Sequence, residues 1–121
     1  VVICDGEVLG KPVDEADAIR MLKMLSGKTH HVVTGVTLGR GCRYSSFSVD
    51  TAVTFRELSD QEIKAYVKSG EPMDKAGAYG IQGLGALLVE KIDGDFYNVV
   101  GLPVSRLAEE LHEFLKKVQS K

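Results

Sequence analysis

The nine residues VVICDGEVL, Val1 to Leu9, set two short apolar runs on either side of Asp5-Gly6, a spacing that leaves room only for a tight turn. A second pair follows. From Thr29 to Leu38, the side chains of Val32, Thr34, Val36 and Leu38 share one strand face, and Val49, Thr51, Val53 and Phe55 alternate likewise. Between them GRGCRYSS reads as a hairpin loop with a ragged return. Parallel neighbours need crossovers of about a dozen residues or more, so these close strand pairs exclude a purely parallel sheet.

Helical periods interrupt the strands. Asp14 can cap a helix on which Ala18, Leu22 and Leu25 fall at helical spacing with Met21 beside them, and which Ser26-Gly27 ends. Ser59-Asp60-Gln61-Glu62 is a capping box, followed by Ile63, Tyr66 and Val67 on one face and a stop at Ser69-Gly70. Ala86 to Ile92 and Phe96 to Val100 read as strands around the turn Asp93-Gly94-Asp95. Pro103 stands at the start of a last helix with the apolar face Val104, Leu107, Leu111, Leu115 and Val118. The expected class is α/β, a mixed sheet with flanking helices, in one domain over residues 1–121.

Charge and composition narrow the function. With 44% hydrophobic and 26% charged residues the chain is neither a disordered tail nor a disulfide-rich miniprotein. A net charge of -2 offers no general grip on a nucleic acid polymer, so a polyphosphate ligand has to meet a local cluster of positive charge. Cys4 and Cys42 are far apart and outside any C-x-x-C pattern, which fits a reducing compartment and suggests neither zinc nor a disulfide framework. No apolar run approaches the roughly 20 residues that span a bilayer and no signal peptide is visible, so no membrane role is expected and the expected location is the cytoplasm. His30 and His31, adjacent on a strand, point to opposite faces and are poorly placed to share a metal. No G-x-S-x-G elbow or Ser-His-Asp set is visible, and Cys42, beside Arg40 and Arg43, is read as an incidental thiol.

The chemistry concentrates in GEPMDKAGAYGIQG, Gly70 to Gly83. Its glycines, with Gly85 just beyond, let the backbone approach a ligand and aim N–H groups at anionic oxygens. Glu71 and Asp74 supply carboxylates suited to a divalent cation, Lys75 an ammonium suited to phosphate, and Gln82 an amide suited to a nucleobase edge. Lys11, in LGKP, follows a strand end, where α/β proteins commonly bind ligands. The plainer alternative stays beside this one: glycines between a helix and a strand commonly make turns, and loop charges are commonly just solvated.

LGKP, LSGKTHHVVTGV, GEPMDKAGAYGIQG and DGDFYNVVGLPV stand in the order and spacing of the Maf family of nucleoside triphosphate pyrophosphatases, which the sequence resembles from Val1 into the last helix. The resemblance implies an inosine triphosphate pyrophosphatase-like fold with a cleft between two lobes. It also implies hydrolysis of a nucleoside triphosphate to the monophosphate and pyrophosphate with a divalent cation, Mg²⁺ or Mn²⁺, as a house-cleaning of nucleotide pools. By the same resemblance Lys11 contacts substrate phosphates, Asp74 and Lys75 act at the cleft, and Gln82 bears on substrate choice; the metal itself is expected on the carboxylates of Asp74 and Glu71. DKAGAYGIQG resembles the branch acting on dTTP and UTP rather than 7-methyl-GTP. The family's Ser-x-Ser-Pro-Arg-Arg motif and the Ala-Asp-Thr before its VV strand, whose aspartate is the proposed general base, are absent from these residues. The expectation is therefore a C-terminal part of a Maf-like domain, N-terminally truncated, with weak activity of its own. Uncovered sheet edges and apolar surface would favour a homo-oligomer. The alternative is a non-catalytic nucleotide-binding or interaction module derived from such a protein.

Overall fold

The computed structural model describes residues 1–119. Five strands, β1 (Val2–Cys4), β2 (Glu7–Leu9), β3 (Thr29–Arg40), β4 (Arg43–Phe55) and β5 (Val89–Asp93), form one sheet in the order β2-β1-β3-β4-β5. The α/β class with flanking helices stands, and every neighbouring pair in the sheet is antiparallel. The reason lies in the first turn. Asp5 and Gly6 adopt φ of 50° and 79°, the paired positive values of a type I′ hairpin, so the chain reverses before α1 (Glu15–Leu25) carries it across the sheet. β2 and β3 therefore run the same way, but β1 lies between them and pairs antiparallel with both.

Local signals decide the helices. The Asp14 side chain accepts from Asp17 N at 2.8 Å, capping α1, and Ala18, Met21, Leu22 and Leu25 form its buried face. The capping box is present in α2 (Asp60–Lys68), with Ile63, Tyr66 and Val67 buried. These two faces meet Val2, Cys4, Leu9, Val32, Val53 and Phe55 from the sheet in one core. Leu22 and Leu25, fully buried, each contribute about 1.5–3 kcal/mol relative to exposure.

The β3–β4 ladder runs further than the sequence indicates. Pairing continues to Arg40 opposite Arg43, which leaves Gly41 and Cys42 as a two-residue turn and turns the expected loop into a two-stranded ribbon. Thr37 and Ser46 hydroxyls bond across it at 2.9 Å. α4 (Val104–Gln119) lies on this ribbon, buries Phe114, and brings the Arg106 guanidinium 5.2 Å from the Phe47 ring centre. The rest of its predicted apolar face is thinly covered: Val104, Leu111 and Leu115 remain exposed.

Two segments differ from expectation. Phe96–Val100, expected as a strand from its aromatic and β-branched composition, is the short helix α3. Asp95 decides it, because its carboxylate accepts from Tyr97 N and Asn98 N while Gly101, at φ 148°, ends the turn with its N–H on Tyr97 O. Gly83–Leu88, expected to enter a strand at Ala86, is a 3₁₀ segment, and β5 begins only at Val89. Two further 3₁₀ turns, Glu71–Asp74 and Ala76–Ala78, precede it. Among the described residues no helix is long and apolar enough to cross a membrane.

Candidate functional site

A cavity of about 580 Å³ opens between the glycine-rich loop, β3 and α3. Lys75, Tyr79, Gly80 and Gln82 line its loop side, Val32 to Gly35 its sheet side, and Asn98 to Gly101 its far side, with Val1 and Val2 completing the wall. The volume lies in the range of small-molecule sites.

The loop is shaped by close backbone approaches. Gly77 N donates to Gly10 O at 3.0 Å, which docks the strand end bearing Lys11 against the Asp74–Gly77 stretch. The Lys75 stem lies directly over Gly80: a Cβ there would come within 2.6 Å of Lys75 Cε. Ala78, between them, holds φ at 62°, a left-handed value that costs a non-glycine residue about 1 kcal/mol or more. The loop is thus held in a strained form by its surroundings.

Of the sequence-predicted residues, Lys75 and Gln82 share the cavity wall. Asp74 bonds Lys75 Nζ at 3.1 Å with its side chain 79% exposed, so it sits at the mouth rather than on the wall. Its carboxyl is held below the usual range first by the hydrogen bond from Lys75, and Lys11 adds to the effect, so both ammonium groups lie near it. Lys11 itself is exposed and does not line the cavity.

Glu71 has a different occupation. Its Oε1 accepts from the Tyr66 hydroxyl and from Gly85 N, both at 3.0 Å, and its Oε2 accepts from Leu84 N at 3.1 Å. Partial burial opposes the charge, yet the Gly85 amide, the Tyr66 hydroxyl and the Leu84 amide together hold the carboxyl below its ordinary range. With those lone pairs taken and Asp74 engaged by Lys75, the expected pair of metal ligands is not built. Among the described residues no group of three or more His, Cys, Asp and Glu is placed to hold a metal ion. Glu71 and Asp74 are therefore not poised to hold a resident cation between them.

Two further residues at the cavity are not singled out by any sequence pattern. Tyr79, 6% exposed, lines the cavity, and its hydroxyl meets His30 Nε2 at 2.7 Å inside a T-shaped cluster with Phe55. As expected, His30 and His31 part company: His30 is buried, while His31 is exposed and bonds Asp50 at 2.8 Å. Asn98, fully buried, donates from Nδ2 to Val32 O, Val49 O and Thr51 Oγ1, pinning α3 to both long strands. Its Oδ1 has no partner among the described residues. Asp95 ahead of Asn98, with Gly101 and Pro103 behind, is the cap-and-stop signal that could have revealed this helix.

A family model described as Maf-like protein matches residues 1–114. Among curated proteins, the dTTP/UTP pyrophosphatase of Bacillus velezensis is 55% identical over 114 residues, 94% of this chain and 60% of that relative. The dTTP/UTP pyrophosphatase of Bacillus pumilus is 53% identical over the same shares, and one from Bacillus cereus is 54% identical. The chain spans about 60% of the length of these curated relatives.

Proposed function

We propose, because this chain belongs to the Maf family, that it forms the nucleotide-holding part of a nucleoside triphosphate pyrophosphatase that cleaves dTTP and UTP to the monophosphate and pyrophosphate. The observation that carries the reading is the shared cavity wall of Lys75 and Gln82: a cation for phosphate and an amide for a base edge, in a space of nucleotide dimensions.

In the reaction, water attacks the α-phosphorus and pyrophosphate departs, so negative charge grows on the leaving oxygens. Lys75 neutralises that charge from the wall and Lys11 from the mouth, a preorganised electrostatic contribution. Gln82 reads the pyrimidine edge. Asp74 remains the proposed contact for Mg²⁺ or Mn²⁺ brought in with the triphosphate. The cavity wall carries no carboxylate among the described residues, so proton abstraction from water is left without a wall residue to perform it. A positioned base contributes on the order of 10²–10⁴-fold. This 121-residue chain is therefore expected to bind dTTP and UTP but to release pyrophosphate slower by about that factor than the relatives do.

Calorimetric titration with dTTP and UTP tests the reading. Lys75→Ala removes a charge-assisted contact worth about 1.5–3 kcal/mol and should weaken binding roughly 10–100-fold. Unchanged affinity would remove the site. Binding with no detectable turnover would favour the module alternative.

A further inference from the structure

We propose that Tyr66 and Glu71 are positioning residues that set Gln82 and Lys75 for the nucleotide, acting as a clasp beneath the loop rather than as ligands. The inference rests on the nucleotide reading of the cavity and adds to it residues that do not line the cavity.

The geometry is a relay of four hydrogen bonds. Tyr66 Oη donates to Glu71 Oε1 at 3.0 Å and accepts from Gly80 N at 3.1 Å. Glu71 in turn accepts from Leu84 N and Gly85 N. Those two amides belong to the first turn of the Gly83–Leu88 3₁₀ segment, whose adjoining residue Gln82 supplies no side-chain cap. Glu71, twelve positions upstream of Gly83, caps it instead, and its negative charge suits amides left unpaired at a helical start.

Gly80 and Leu84 are therefore tied to the same Tyr66–Glu71 pair, and Ile81, Gln82 and Gly83 form the short arch between the two ties. Gln82 is exposed on that arch, where its side chain makes no hydrogen bond among the described residues. What fixes its backbone is the pair of anchors. Lys75 depends on the same pair, because its stem rests on Gly80. Tyr66 faces a different groove, with Arg56 and Leu84, so the clasp stands behind the site and the cavity in front of it.

The test compares Tyr66→Phe, Glu71→Gln and Gln82→Ala with the parent protein. Amide spectra of the unliganded protein should move at Gly80 in Tyr66→Phe, and at Gly80, Leu84 and Gly85 in Glu71→Gln, with the rest of the spectrum kept. Affinities for dTTP and UTP should fall about tenfold in both clasp variants, and preference over GTP should narrow as it does in Gln82→Ala. Turnover at saturating nucleotide should change less than KM. Tyr66→Phe, which keeps the ring, guards against a collapse that Glu71→Gln alone could cause. If Gln82→Ala loses affinity while both clasp variants keep it, the clasp inference falls and the nucleotide reading survives. If Gln82→Ala keeps full affinity and selectivity, Gln82 reads no base and both fall. Unmoved Gly80, Leu84 and Gly85 amides overturn the clasp without reference to any nucleotide.

Discussion

Gly85→Ala is expected to cost at least about 3 kcal/mol of folding stability, a large share of what a domain of this size possesses. A Cβ built at Gly85 lies 1.8 Å from Gly80 O, 2.8 Å from Gly80 C and 2.8 Å from the Tyr66 hydroxyl. The first two neighbours are backbone and cannot swing away as a side-chain end would. Gly80 is also tied by its amide to Tyr66, and Gly85 by its own amide to Glu71, so relief of the clash must break the hydrogen bonds that hold the loop. Overpacking that shifts backbone commonly costs 1–3 kcal/mol, occasionally more, and here lost polar contacts add to it. Gly35→Ala is the control, since a Cβ there meets nothing within 4 Å. Urea unfolding of both variants decides the matter. A Gly85→Ala midpoint matching that of Gly35→Ala would show that residues 80 and 85 do not approach as described.

Acid is expected to weaken the fold through His30 before most carboxylates titrate. Burial first, and the neighbouring His31 second, push its pKa down from 6.5 to about 4. The buried ring has Nδ1 without a hydrogen-bond partner among the described residues, and its Nε2 is engaged by Tyr79. Between pH 6.5 and 4 the unfolded chain therefore binds a proton that the folded chain refuses, so stability falls as pH falls through that window and this group adds nothing further below it. The loss from this one residue is about 2 kcal/mol by pH 5 and approaches about 3 kcal/mol near pH 4. Unfolding free energies measured at pH 7 and pH 5, together with an NMR titration of the His30 ring, check it. A ring that titrates near 6.5 in the folded protein, or a stability unchanged over that interval, would contradict the prediction.

Sequence patterns revealed the framework well where one residue type could do only one job. Asp5-Gly6, Asp14 and the Ser59–Glu62 box each act within a few residues of themselves, and all three do in the structure what their chemistry indicates. Segment 96–100 was harder because its composition favours a strand while its caps favour a helix. Over five residues, two capping bonds from Asp95 outweigh the modest β-preference of Phe, Tyr and Val. The Gly83–Leu88 turn was illegible for another reason: its cap, Glu71, lies a dozen residues upstream and reaches it only through the fold. The candidate residues were legible as a set of types in one loop, and of them Lys75 and Gln82 line one cavity while Lys11, Glu71 and Asp74 do not. Asn98 and Tyr79 reach that cavity from partners 66 and 49 residues away, Val32 and His30, distances that no local pattern reports.

The contact between Asp74 and Lys75 at the cavity mouth has a consequence for whatever anion enters. The ammonium is already answered by a tethered carboxylate, so an incoming group exchanges places with Asp74 instead of meeting a bare charge. Attraction then reflects the difference between two counterions, and a singly charged visitor gains little over the resident one. On the proposed reading, a polyanion that meets Lys75 and nearby Lys11 together gains more from the swap than a simple salt ion does, and the displaced Asp74 is left to face the cation that the polyanion brings with it.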